Sequence, residues 1–84
     1  GDAFTDSYSL YPNPASNQIT LSIKNKKDIF SYRIYNTLGQ LMQGGILQEN
    51  KETITVSQYT SGVYFIVLNN TVTGIESTLK FNKQ

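Results

Sequence analysis

Apolar and polar residues alternate along most of this chain, in short runs that are separated by turn-forming residues. The most regular run, residues 18–24, places Ile19, Leu21 and Ile23 on one face of an extended strand. Residues 30–35 alternate in the same way. No segment combines the 3.6-residue period of a helix with capping residues at its ends. The pattern therefore predicts strands throughout.

The runs predict about seven strands spaced roughly 8–12 residues apart, which is typical of an immunoglobulin-like sandwich. The expected strands are residues 8–11, 18–24, 30–35, 40–48, 53–57, 63–68 and 73–82. We therefore predict an all-β fold, a seven-stranded immunoglobulin-like antiparallel β-sandwich.

Asparagine and glycine residues mark the predicted turns and bends. Asn36 opens a tight hairpin, and Gly39 takes the position in it that needs a positive φ. Two consecutive glycines, Gly44 and Gly45, interrupt the return strand. We expect a β-bulge or a sharp bend at that pair.

Two prolines break the alternation near the start of the chain. Pro12 and Pro14 cannot donate to a strand ladder, so residues 11–17 are predicted to be a rigid edge and turn segment. Residues 1–9 are polar and mixed and are expected to be a linker that becomes extended near Tyr8, with residues 10–84 as the domain. The chain starts with glycine instead of methionine, so we expect it to be a fragment of a longer protein.

Composition excludes several classes of function. The 84 residues are enough for one small domain with a thin core. The absence of histidine and cysteine excludes disulfides, a Cys/His zinc site, a Ser-His-Asp triad and a thiol nucleophile. The six acidic residues are scattered, without the pairing that acid–base catalysis needs or the run that binds calcium. We predict that the chain is not an enzyme and needs no cofactor.

The charge balance also limits the choice of partners. Seven basic and six acidic residues give a net charge of +1, and the lysines and arginine form no stripe. Nucleic acid is therefore not expected as a partner, because neutralising several phosphates needs several clustered cations. No apolar run approaches the roughly 18 residues of a membrane span.

The start of the predicted strand at residues 63–68 has a recognisable corner. Tyr64 follows Gly62 by two residues, which resembles the tyrosine corner of immunoglobulin-like domains. We expect its ring to pack inward with Ile66 and Leu68, and its hydroxyl group to bond to the backbone a few residues upstream. The side chains that alternate with these three face the other way, and they are Val63, Phe65 and Val67. They are either covered within the domain or available to a partner as an apolar stripe.

Four motifs occur in order along the chain. They are Tyr11-Pro12-Asn13-Pro14, Ile34-Tyr35-Asn36 followed by Gly39, Gly62-Val63-Tyr64-Phe65, and Thr78-Leu79-Lys80-Phe81. Their order and spacing resembles the type A C-terminal sorting domain of cargo proteins of the type IX secretion system in Bacteroidota. The resemblance covers residues 10–84. It departs at Tyr59, where the family usually has leucine, a conservative change at a core position.

The resemblance implies a transport signal at the C-terminus of a secreted protein. Such a domain folds in the periplasm and is recognised by the outer-membrane translocon and shuttle components of the type IX system. A sortase-like cysteine peptidase then commonly removes it, here within or before residues 1–9, and leaves the upstream cargo on the cell surface or released. The signal-bearing residues implied for this chain are Tyr11, Pro12, Asn13, Pro14, Gly39, Gly62, Tyr64 and Lys80.

The C-terminal strand is the expected recognition element, because residues 78–81 present a strand edge with Lys80 outward.

The alternative function is an accessory module that binds carbohydrate or protein beside a secreted enzyme. The aromatic platform of such a module would consist of four tyrosines, Tyr8, Tyr32, Tyr35 and Tyr59. The predicted strands place these tyrosines on different faces. Open edges also leave a homodimer by strand exchange as an alternative state.

Overall fold

The structure, a computed structural model, describes residues 7–84. This part of the chain forms seven strands, which follow one another without an intervening helix. They are β1 Ser7–Tyr11, β2 Gln18–Lys24, β3 Phe30–Asn36, β4 Leu41–Leu47, β5 Lys51–Thr55, β6 Gly62–Asn70 and β7 Glu76–Lys83. Within the same range there is no helix that could cross a membrane.

The strands form two sheets that enclose one core. One sheet has three strands in the order β1-β2-β5, and the other has four in the order β4-β3-β6-β7. Every pair of neighbouring strands is antiparallel. The predicted seven-stranded immunoglobulin-like sandwich is confirmed.

Alternate residues of the central strands fill the space between the sheets. In β2, Ile19, Leu21 and Ile23 are all fully buried, as the alternation predicts. The opposite sheet contributes larger side chains from three of its strands. They include Phe30, Ile34, Ile66, Leu68 and Phe81. Because a domain of this size has a thin core, each of these side chains supplies a large share of the buried apolar surface.

Some strand boundaries differ from the prediction. Residues 7–9 belong to β1, although the sequence predicts a linker over residues 1–9; the rest of that predicted linker lies outside the described residues. β5 begins at Lys51, earlier than predicted, and β6 continues through Asn70. These residues are polar, so alternation gives no signal for them. Backbone pairing with β2 and β3 extends the strands beyond their apolar runs.

The prediction of a bulge at Gly44 and Gly45 is wrong. Both residues lie inside β4, in regular register with β3. Gly45 faces the ring of Tyr32, whose hydroxyl oxygen would be 2.7 Å from a Cβ atom added to the glycine. The close approach of the tyrosine, and not a bend, therefore requires this glycine. The register shift in the hairpin lies nearer the turn, at Met42.

Antiparallel pairing places three loops and the C-terminus at one end of the sandwich, which we call the motif end. It consists of residues 11–17, 36–40, 56–64 and 82–84. The register confirms this grouping, because Asn36 pairs with Tyr64 and Gly62 pairs with Lys83. All of the signal-bearing residues implied by the family resemblance lie at the motif end, except Lys80.

Candidate functional site

The segment between β1 and β2 crosses from the three-stranded sheet to the edge of β7. Ala15 forms a parallel bridge with Lys83. The Ala15 N–H donates to the carbonyl oxygen of Asn82 at 2.8 Å, and the Ala15 carbonyl oxygen accepts from the N–H of Gln84 at 2.8 Å. The Ala15 side chain is fully buried. The N-terminal motif is therefore fixed to the last residues of the chain.

Asn13 adds a side-chain bond to the same contact. Its Oδ1 atom accepts from the backbone N–H of Asn82 at 2.9 Å. Pro12 and Pro14, on either side of it, have no N–H group to contribute, and both follow cis peptide bonds. These three residues and Tyr11 are exposed. The segment thus combines an anchored backbone with side chains that a partner can reach.

Tyr64 forms the predicted tyrosine corner. Its hydroxyl group donates to the backbone carbonyl oxygen of Thr60 at 2.7 Å. The centroid of its ring lies 5.6 Å from that of Phe81, in a stacked arrangement, and 4.9 Å from that of Tyr59. Only 4% of Tyr64 is exposed. Tyr64 is therefore a core residue that holds the corner before β6 against β7.

The two glycines of the motifs determine backbone geometry. Gly39 has a φ of 81° and closes the β3–β4 turn by donating its N–H to the carbonyl oxygen of Asn36 at 3.0 Å. The Oδ1 atom of Asn36 accepts from the backbone N–H groups of Leu38 and Gln40, both at 2.9 Å. Gly62 has a φ of 150° where β6 begins. Residues with a Cβ atom rarely adopt either conformation.

β7, which carries Lys80, is an edge strand of the four-stranded sheet. The N–H and C=O groups of Asn82 point away from β6, since both bond to the β1–β2 segment. This direction alternates along an antiparallel strand, so the backbone groups of Lys80 and Thr78 also point outward. The Lys80 side chain is exposed. Residues 76–81, which we call the open edge, are the part of β7 that the β1–β2 segment leaves uncovered.

The outer face of the four-stranded sheet is partly apolar. Val63, Phe65 and Val67 are half-buried there, so they are neither fully covered nor fully exposed. Charged residues lie among them: Arg33 Nη2 donates to Glu76 Oε2 at 2.8 Å. The domain therefore covers the predicted apolar stripe only in part.

The four tyrosines of the alternative aromatic platform do not form one surface. Tyr32 is buried, and Tyr8 and Tyr59 pack against the core. The ring of Tyr8 lies 6.2 Å from Phe30, in an edge-to-face arrangement. Tyr35 is half-buried and alternates with Tyr32 along β3, so it lies on the outer face. The geometry does not favour a carbohydrate-binding platform built from these residues.

Burial raises the pKa of two of these tyrosines. For Tyr32 burial is the main cause, and the negative charge of Glu52 raises the pKa further. Burial also raises the pKa of Tyr59, against the opposing effect of a hydrogen bond from Gln43 Nε2 to the Tyr59 hydroxyl oxygen at 2.6 Å. Both side chains therefore hold the phenol proton more strongly in the folded protein than in the unfolded chain.

We expect the free energy of unfolding to fall as the pH rises above about 10, the ordinary tyrosine pKa. Above that pH the unfolded chain loses tyrosine protons that the folded protein retains, so alkali favours unfolding. Urea denaturation at about pH 8 and about pH 11 measures the difference. The double variant Tyr32→Phe with Tyr59→Phe should lose less stability over this interval. An equal loss in the double variant would contradict the assignment.

Sequence reasoning missed the contact between the β1–β2 segment and β7. Ala15 and Asn82 contribute to it, and neither was among the implied signal-bearing residues. An isolated alanine in a polar segment is the only local signal of burial at that point. The bond between Asn13 and Asn82 joins residues 69 positions apart, which no local pattern predicts.

The geometry defines a small immunoglobulin-like domain with an anchored motif and an open strand edge, a kind of surface that binds another polypeptide. The sequence matches the family described as "Secretion system C-terminal sorting domain" over residues 9–82, and the chain belongs to this family. It is a sorting domain of the type IX secretion system, a signal and not an enzyme. It belongs to a secreted protein whose final location is the cell surface or the extracellular space.

Two individual proteins are also similar. β-Agarase A of Zobellia galactanivorans is 33% identical over 60 residues, which are 71% of this chain and 11% of the agarase. A chain from a structural study of PorZ, a surface component of the type IX secretion system of Porphyromonas gingivalis, has the same fold with a TM-score of 0.74 and 18% identity. That match covers 92% of this chain and 11% of the PorZ chain. The chain thus spans about a tenth of either protein.

Proposed function

We propose that this domain directs a cargo, attached upstream in the same chain, through the outer-membrane translocon of the type IX secretion system. The cargo would cross the periplasm with the domain and reach the translocon with the help of shuttle components. A sortase-like cysteine peptidase would then remove the domain. The family match supports this route.

One observation carries the proposal: the motif at the start of the domain is bonded to the strand at its end. Asn13 and Ala15 hold the last residues of the chain. The contact creates a surface that exists only in the folded domain, made of the exposed residues 11–14 and the open edge of β7. The domain supplies all of this surface, so the surface would be the same on unrelated cargos.

We propose that the translocon recognises the open edge by adding a strand to β7. An exposed edge offers backbone N–H and C=O groups for pairing, while alternate side chains give specificity. Lys80 is exposed on this edge and its backbone groups point outward. An acidic side chain opposite Lys80 would favour the correct partner strand.

The position of β1 refines the proposed cleavage. β1 pairs with β2 from Ser7 to Tyr11. Residues 1–6 lie outside the described part of the chain, and a cut within or before them would leave all seven described strands intact. We propose that the peptidase cuts there, and that residues 7–9 belong to the domain instead of the linker.

The similarity to β-agarase A supports a cargo that is much larger than the signal. The matching region is 11% of that protein, so most of the agarase lies outside it. We propose the same arrangement here, with the cargo's activity independent of this domain.

Export of a reporter fused upstream of this chain tests the proposal in a bacterium that has a type IX system. We expect the fusion outside wild-type cells, and in the periplasm of a strain that lacks the translocon. Equal export from both strains would overturn the proposal. Binding of the isolated domain on a glycan array would instead support the accessory-module alternative.

Two substitutions at Lys80 test the edge in the same assay. Lys80→Pro removes an outward N–H that the β6–β7 ladder does not use, and we expect about a tenfold loss of export. Lys80→Ala keeps the N–H and removes only the ammonium group, so the expected loss is at most about fivefold. Thermal denaturation checks that both variants are folded. Normal export of a folded Lys80→Pro variant would show that this edge is not recognised.

A further inference from the structure

We infer that two copies of this domain pair through their open edges, so that their four-stranded sheets become one continuous sheet. The pairing is antiparallel, with Thr78 of one copy opposite Thr78 of the other. Three observations lead to it: β7 lacks the protection of the other edge strands, its covered end limits the register, and its charges match in that register.

β7 is the least protected edge among the strands of residues 7–84. It pairs with β6 over eight consecutive residue pairs without a register shift. β4, at the other edge of the same sheet, has a register shift at Met42. In the second sheet the edge strand β5 has five residues, and the described part of the other edge strand, β1, also has five. Irregular and short edges discourage pairing with another chain, and β7 is neither.

The uncovered length of β7 selects one register. The outward backbone groups of the open edge are those of Glu76, Thr78 and Lys80, by the alternation that begins at Asn82. A two-fold axis through Thr78 pairs all three with the same three residues of a second copy. Glu76 of one copy then lies opposite Lys80 of the other, on both sides of the axis. Every outward N–H and C=O group of the open edge has a partner in this register.

The charges of the open edge are complementary in the same register. Glu76 and Lys80 lie on the same face of the strand, because side chains alternate. Each carboxylate therefore faces an ammonium group directly across the new strand pair, a favourable arrangement. Arg33 contacts Oε2 of Glu76, and a carboxylate has a second oxygen that can accept from lysine. A shift of two residues in either direction removes both charge pairs.

The opposite face of β7 also favours the pairing. Leu79 is half-buried and packs against the core. In the inferred register Leu79 of one copy lies opposite Ser77 of the other, so the added strand covers more of the leucine. A lysine on an edge strand normally discourages association. In the inferred register Lys80 lies opposite Glu76, which has the opposite charge. Other registers lose this charge pair, so Lys80 disfavours them.

Charge exchange between two variants tests the inference on the purified 84-residue chain. At about 0.5 mM, sedimentation velocity should detect the wild-type dimer, since an interface of this size is expected to be weak. Glu76→Lys places like charges opposite each other at both ends of the pairing, and so does Lys80→Glu. Each variant alone should bind itself about tenfold more weakly than wild type. Mixed in equal amounts, the two should form a heterodimer, because opposite charges then face each other at both ends.

Three results would overturn the inference: a monomeric wild-type chain, single variants that dimerise as strongly as wild type, or a mixture that stays monomeric. The second result would favour a homodimer by strand exchange, which does not need the open edge. Both substituted residues are exposed, and thermal denaturation checks that each variant remains folded.

Pairing would cover the edge proposed for recognition, so export would use the monomer. Sedimentation is independent of the export assay, so the two proposals can fail separately.

Discussion

Replacing Tyr64 with alanine is expected to lower the free energy of unfolding by about 3–5 kcal/mol. Tyr64 is 4% exposed, and its ring contacts those of Phe81 and Tyr59. The substitution leaves a cavity between the corner and β7, and it removes the hydrogen bond to Thr60. A domain of 84 residues has a total stability of about 4–13 kcal/mol. The variant should therefore lie close to the limit of folding.

Tyr64→Phe is the matched control. It keeps the ring stacked on Phe81 and removes only the hydroxyl group, so we expect a loss of about 1 kcal/mol. Urea denaturation of the three proteins measures both differences. If the phenylalanine variant lost as much stability as the alanine variant, the hydroxyl bond to Thr60 would be the main contribution, and the explanation by ring packing would be wrong.

The same pair of variants separates folding from recognition. Tyr64 is one of the signal-bearing residues implied by the family resemblance, but its burial indicates that it acts through the fold. In the reporter assay we expect Tyr64→Ala to lose export in proportion to its unfolded fraction, and Tyr64→Phe to retain it. Poor export of a variant that melts at the wild-type temperature would mean that Tyr64 contacts the export machinery.

Sequence predicted the parts of the fold that local chemistry determines. The alternation of β2, the turn from Asn36 to Gly39 and the corner at Tyr64 each depend on residues within a few positions of one another. Gly45 shows the limit of such signals. A glycine in a strand is consistent with either a bulge or a close neighbour, and the neighbour, Tyr32, lies on the adjacent strand.

The candidate site was predicted only in part. Alternation correctly predicted that the Lys80 side chain is exposed, because it places Lys80 on the face of β7 opposite to Leu79 and Phe81. The contact between Asn13 and Asn82 could not be predicted, since it depends on the crossing of the β1–β2 segment between the two sheets. Register and sheet order are properties of the whole fold, and a motif gives no information about which strand it will meet.

Deletion of residues 80–84 is expected to unfold the domain. The deletion removes Phe81, which is fully buried and stacks on Tyr64. Loss of this ring alone costs about 3–5 kcal/mol. The deletion also removes the last pairs between β6 and β7 and the bonds that fix Ala15. Circular dichroism and limited proteolysis of the truncated chain should show an unfolded, rapidly digested protein.

A shorter deletion, of residues 82–84, is the control that makes truncation informative. It keeps Phe81 and removes the bonds that Asn82 and Gln84 make to the β1–β2 segment, so we expect a folded chain that is about 2 kcal/mol less stable. Failed export of the longer deletion would then report only unfolding. Failed export of the shorter one, with the domain still folded, would assign recognition to the contact between the two ends of the domain. If the shorter deletion is exported like wild type, that contact serves the fold alone, and the open edge at Lys80 remains as the recognised surface.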